Sequence, residues 1–118
     1  MPKQKLLTKE NLRNLPSLYT NENQPIGCEV AQVKFFTPWT NWTWYVTEYN
    51  PETRIFFGLV VGHEVELGYF SLDEIESVRG PFGLRIERDM HFKPVPLSNV
   101  DNSQAREYVA LLRSRLCK

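Results

Sequence analysis

Three side chains near the end of the chain, Glu87, Asp89 and His91, have the types and spacing of a metal site. Alternate residues of a β-strand point to the same face, so the three would line up if this segment is extended. Two carboxylates and an imidazole suit Mg²⁺ or Mn²⁺, which could activate water, and Glu66 could assist. Alternating charges also mark solvent-exposed strands paired with nearby arginines. We favour that interpretation, with no cofactor and no enzymatic activity.

A second set of candidates lies on a predicted β-hairpin. Residues 55–61 and 64–70 are rich in β-branched and aromatic side chains. Gly62-His63 between them suits a two-residue type II′ turn, because glycine adopts a positive φ without steric cost. That turn would place Val61 opposite Glu64 and fix the register of the remaining pairs.

In this register, Phe57 and Leu59 would share one face of the hairpin with Glu64 and Glu66, because cross-strand partners lie on the same face. Carboxylates among large apolar side chains could form a surface that binds another protein. They could also keep an exposed edge of the sheet soluble, and for this face taken alone we favour that interpretation. A face that binds a ligand is the other functional interpretation of the same residues.

The hairpin leads into a helix predicted over residues 71–79. Ser71 is a suitable N-cap, and Glu74 three residues later completes a capping box. Asp73 and Glu76 would make the outer face of this helix acidic. Such a face could recruit a basic partner or could simply be solvated.

Aromatic residues cluster around Trp39, on a predicted loop, with Lys34 beside them. Aromatic platforms stack the bases of single-stranded nucleic acids, so Trp39 and Lys34 are the candidate contacts for that partner. However, the 14 basic residues are balanced by 14 acidic ones, which argues against a broad nucleic-acid surface. Most of the rings are expected in the core.

The spacing of apolar residues predicts one α+β domain over residues 1–118. We expect a mainly antiparallel meander of four or five strands, with helices near 8–15, 71–79 and 102–117. No apolar run is long enough to span a bilayer. The N-terminus has no signal-like segment, and the two cysteines have no motif spacing. The protein is therefore expected in the cytoplasm, away from membranes, with reduced thiols.

Several segments resemble the bacterial family called domain of unknown function 2958. They are LLT and LPSLY before Thr20, KFFTP and NWTWY in residues 34–45, and ELGYFSL and IERD in residues 66–89. The family implies a plasmid, phage or other mobile-element setting and no established activity. Some relatives carry single-stranded-DNA endonuclease labels.

From this resemblance and the mixed hairpin face we expect a small, non-catalytic protein–protein interaction module of a mobile genetic element. Its partner would be a component of host defence or of DNA transfer, which it would inhibit or modulate. The alternatives are a metal-dependent single-stranded-DNA endonuclease that uses Glu66, Glu87, Asp89 and His91, and a single-stranded nucleic-acid binder.

Overall fold

The computed structural model describes residues 5–116, which form a five-stranded antiparallel sheet covered by helices on both faces. The strands are β1 (Val30–Ala31), β2 (Val33–Phe36), β3 (Thr43–Asn50), β4 (Ile55–Val61), β5 (Val65–Ser71), β6 (Glu87–Arg88) and β7 (Val95–Pro96). The five-stranded sheet has the order β5-β4-β3-β2-β6, so four of its strands form the predicted meander. Strands β1 and β7 pair in a separate two-stranded sheet. The predicted α+β class is confirmed.

The helices begin at the predicted caps. Helix α1 (Lys9–Asn14) follows Thr8, whose hydroxyl accepts the N–H of Asn11. Helix α2 (Leu72–Ser77) follows Ser71, whose hydroxyl accepts the N–H of Glu74, and it ends before the predicted residue 79. Helix α3 spans Ser103–Leu116, and the predicted end at residue 117 lies outside the described residues. Two short 3-10 helices span Pro81–Gly83 and Leu97–Asn99. Across residues 5–116, no helix has the length and apolar character needed to cross a membrane.

Strand β3 lies at the centre of the sheet and is buried on both faces. On one face, Val46 packs in a cluster with side chains of β2, β4 and α2. On the other face, Tyr45 packs in a cluster with side chains of β4 and α3. Two apolar layers therefore hold the strand, and its polar residues must find partners inside the protein.

The predicted two-residue turn is wrong: Val61 pairs with Val65, and Gly62 to Glu64 form a three-residue connection. The φ of Gly62 is not in the left-handed region that a type II′ turn needs. Instead, a Cβ on Gly62 would lie 2.5 Å from the ring of Trp42. Glycine is required there because the indole packs on the turn, which no local pattern reveals.

The one-residue change of register moves the residues of the predicted mixed face to opposite sides of the sheet. Leu59 pairs with Leu67 and is fully buried, so it belongs to the core. Glu66 pairs with Val60 on the reverse face. The expected surface that combined Phe57 and Leu59 with Glu66 is therefore not formed.

A β-bulge in β3 turns a carboxylate towards Phe57. The pairing with β4 skips Thr47, so Glu48 lies opposite Phe57. The Thr47 hydroxyl donates to the Phe57 carbonyl at 3.0 Å, which provides an internal partner for the extra residue. Glu48 thus lies on the same face as Phe57, in the middle of the sheet.

The start of α3 is tied to the sheet by Asp101. Its carboxylate accepts hydrogen bonds from the Tyr45 hydroxyl at 2.6 Å and from the Lys34 ammonium at 2.9 Å. Burial favours the neutral acid, but the donors outweigh it and lower the pKa of Asp101. Burial, together with the hydrogen bond to Asp101 and its charge, raises the pKa of Tyr45.

We expect the stability difference between wild type and Asp101→Asn to shrink as the pH falls. Because the pKa of Asp101 is lower in the folded protein than the unfolded value of about 3.9, its charge stabilises the fold above about pH 4. That contribution is lost as the pH falls through the lowered pKa. Urea unfolding of both proteins between about pH 6 and pH 2.5 would measure it. A difference that is the same at every pH would contradict the assigned role.

Candidate binding pocket between Tyr19 and Tyr69

The four residues of the metal hypothesis are not brought together. Glu66 lies on β5 and Glu87 on β6, at opposite edges of the sheet. Four strand spacings of about 4.8 Å separate them by about 19 Å. Asp89 lies 3.6 Å from the Lys34 ammonium and accepts the backbone N–H of His91. Glu87, Asp89 and His91 border one surface pocket, but within residues 5–116 no three His, Cys, Asp or Glu side chains are placed to hold a metal.

The two candidate nucleic-acid contacts, Trp39 and Lys34, make intramolecular contacts instead. Trp39 is half-buried, and its ring lies so close to Gly80 that a Cβ there would be 2.4 Å away. The Lys34 ammonium is bonded to Asp101. Neither side chain is therefore placed as an open platform or a freely available cation.

The acidic residues proposed for protein binding are also separated. Asp73 and Glu76 on α2 both form ion pairs with Arg54, at 2.7 Å from Nε to the Asp73 carboxylate. The positive charge of Arg54 therefore already compensates these two carboxylates of α2. Glu64 lies exposed on the turn.

Phe57 does lie at a concave site, although its acidic neighbours are not the predicted ones. A pocket of about 280 Å³ is bordered by Phe57, Leu67 and Tyr69 of the hairpin. Its other walls come from Glu48 of the β3 bulge and from the segment between Tyr19 and Glu29. We call this site the Tyr19–Tyr69 pocket.

Glu48 positions the outer wall of the Tyr19–Tyr69 pocket. Its side chain is 3% exposed, and its two oxygens accept the backbone N–H groups of Tyr19 at 2.9 Å and of Asn21 at 2.8 Å. The carboxylate therefore fixes a loop that has no regular secondary structure. Tyr19 adopts a left-handed conformation (φ 71°), which costs energy and is maintained by these contacts.

Glu29 provides a second buried carboxylate in the pocket. The residue is 8% exposed, and its Oε1 accepts the N–H of Gly27 at 3.3 Å. Its Oε2 accepts no hydrogen bond from any residue between 5 and 116. Glu22 adds a third, exposed carboxylate, and no Lys, Arg or His borders the pocket. The site therefore carries negative charge without a basic side chain of its own.

Tyr19 and Tyr69 form the rim. They are 63% and 57% exposed, and their rings meet edge to face with centroids 6.4 Å apart. Tyr69 also packs on Phe57 at 4.9 Å. A hydrogen bond with Tyr19, followed by desolvation and the charges of Tyr19, Glu48 and Glu22, raises the pKa of Tyr69. The rim is aromatic and the interior is acidic, an arrangement that can bind a cationic or hydrogen-bond-donating group.

Comparison with known proteins identifies one family. The family described as protein of unknown function (DUF2958) matches residues 6–109, which includes every residue of the pocket. Comparison with curated proteins and with solved structures gives no significant match.

Proposed function

Because the chain belongs to the DUF2958 family, whose description states no activity, we propose a function from the pocket itself: the protein is a non-catalytic module that binds another protein. The supporting observation is the pair of exposed tyrosines over an acidic cavity. Tyrosine is enriched in protein interfaces because one side chain offers a large apolar area and a polar end.

The rigid placement of the rim supports this proposal. Tyr69 is supported by Phe57, and the backbone of Tyr19 is held by the buried carboxylate of Glu48. Side chains that are already ordered lose less conformational entropy when a partner binds. Two fixed aromatic groups can therefore act as anchors of an interface.

The setting that we propose is the cytoplasm of a bacterium that carries a mobile genetic element. The resemblance to plasmid- and phage-associated relatives supports it. The partner would be a component of host defence or of DNA transfer, and binding would inhibit or modulate that component.

We expect the Tyr19→Ala/Tyr69→Ala variant to lose a partner that co-purifies with the wild type from the native cell. The variant removes two candidate hot-spot side chains, and the loss of each, worth about 2 kcal/mol or more of binding free energy, should lower the affinity at least thirtyfold. Quantitative mass spectrometry of the tagged chain measures the loss. Leu111→Ala, at an exposed apolar site on α3, is the matched control. A partner retained equally by all three proteins would contradict the proposed surface.

A further inference from the structure

We propose that the Tyr19–Tyr69 pocket receives the guanidinium group of an arginine side chain on the partner protein. This inference rests on the proposed function and specifies the chemistry of the same site. Two buried carboxylates, Glu29 and Glu48, line the cavity, and two tyrosines stand at its entrance. The pocket thus has acceptors inside and aromatic rings around its opening.

The unpartnered oxygen of Glu29 is the first argument. Glu29 is about nine-tenths buried, which reduces the access of water to its carboxylate without removing it. Glu29 accepts one long hydrogen bond, on Oε1, and Oε2 has no donor among the described residues. A charged donor that enters the pocket would replace water at this oxygen with a charge-assisted hydrogen bond.

The charge of the walls is the second argument. Glu22, Glu29 and Glu48 border the pocket, and no basic side chain does. In the described part of the chain, none of these three carboxylates forms an ion pair. A ligand with a positive charge would complement this field, whereas an anion or a phosphate would be repelled.

The shape of the site favours an organic cation over a metal ion. The three carboxylates do not form a metal-binding group within residues 5–116. A volume of about 280 Å³ is below the usual range of small-molecule pockets and suits a single side chain. The ring faces of tyrosines attract cations, and guanidinium does so more often than ammonium.

Arginine also matches the donor requirements better than lysine. Its planar group carries five N–H donors in a fixed fork, which can bind a carboxylate through two parallel hydrogen bonds. The free oxygen of Glu29 and the remaining lone pairs of Glu48 are acceptors for such a fork. An ammonium group would satisfy fewer of them from one position.

Titration of the ¹⁵N-labelled full-length chain with N-acetyl-arginine methylamide tests the proposal. We expect saturable shift changes at the amides of Tyr19, Asn21 and Glu48, with no such changes from the neutral citrulline analogue. Glu29→Gln should weaken binding about tenfold, because it removes one charge-assisted hydrogen bond. Glu66→Gln, on the reverse face, should leave the affinity unchanged.

Three results would overturn the proposal: no saturable binding of the arginine probe, equal binding of the citrulline analogue, or binding of N-acetyl-lysine methylamide at least as tight as that of the arginine probe. If Glu29→Gln does not fold, Tyr69→Ala replaces it, since its exposed side chain can be removed without opening the core. Weaker arginine binding by that variant supports the proposal, and unchanged binding contradicts it.

The failure of this inference can be told apart from that of the proposed function. A partner that depends on Tyr19 and Tyr69, with no response to the arginine probe, leaves the protein-binding function in place and rejects arginine as the group in the pocket. Binding of the probe without any partner that depends on the tyrosines rejects the protein-binding function. The pocket would then be a site for a free guanidinium compound, which contradicts a partner arginine.

Discussion

Gly58→Ala is expected to lower the free energy of unfolding by at least about 3 kcal/mol. A Cβ at position 58 would lie 2.0 Å from the carbonyl oxygen of Tyr45 and 3.0 Å from its carbonyl carbon. Both atoms belong to the backbone of the central strand, so no rotation of a side chain can relieve the overlap. Strands β3 and β4 would have to separate, which would weaken both apolar layers. Urea unfolding measures the loss.

The matched control is Gly68→Ala, since Gly68 is the cross-strand partner of Gly58 on β5. A Cβ there meets no atom within 4 Å, and the backbone of Gly68 is not left-handed. We expect no loss, and a gain of up to about 1 kcal/mol from the lower entropy of the unfolded chain. Equal destabilisation by the two substitutions would contradict the close approach of β3 and β4.

Glu48→Ala is expected to cost about 3 kcal/mol of stability and to loosen the loop around Tyr19. The substitution removes the acceptor of two backbone N–H groups, each of which loses a charge-assisted hydrogen bond. Amide hydrogen exchange at Tyr19 and Asn21 should accelerate more than that of β3, and urea unfolding should show the lower stability. The stability of Glu48→Gln should lie between that of the wild type and that of Glu48→Ala, because an amide has only one acceptor oxygen.

Glu66→Ala is the control for this experiment, since Glu66 is exposed on an edge strand. Its substitution should change the stability by less than about 0.5 kcal/mol. If Glu48→Ala were as mild as Glu66→Ala, or if exchange at Tyr19 stayed slow, the carboxylate would not be what holds the rim of the pocket.

Local patterns were sufficient for most of the fold. Thr8 and Ser71 cap helices because a hydroxyl before a helix accepts a free N–H, and this chemistry is visible in four residues. The run of β-branched and aromatic residues from Ile55 to Val61 forms a strand with the predicted bounds. These features depend on residues that are close together in the chain, so they can be predicted from a single sequence.

The hairpin register failed because Gly62 is constrained by a residue twenty positions away. The pattern Gly-X suggests a positive φ, whereas the glycine makes room for Trp42, which immediately precedes the neighbouring strand β3. A shift by one residue was enough to move Glu66 to the face opposite Phe57. The alternation of apolar and acidic residues could not choose between the two registers.

The pocket was missed because it joins segments far apart in the chain. Glu48 contacts Tyr19 and Asn21 across 29 and 27 residues. One signal was available: Glu48 is the single charged residue of β3, and a charge in a strand rich in aromatic and β-branched residues needs a partner. The bulge at Thr47, which decides the face that Glu48 occupies, has no glycine or proline to mark it.

Photo-cross-linking in the native cell tests most directly whether the tyrosine rim binds a protein. p-Benzoylphenylalanine at position 69 keeps an aromatic ring at the mouth of the pocket, and the same residue at position 111 provides the control on α3. The proposed function predicts one discrete protein adduct from position 69 and none from position 111. No adduct at position 69, or the same adducts from both positions, would contradict it.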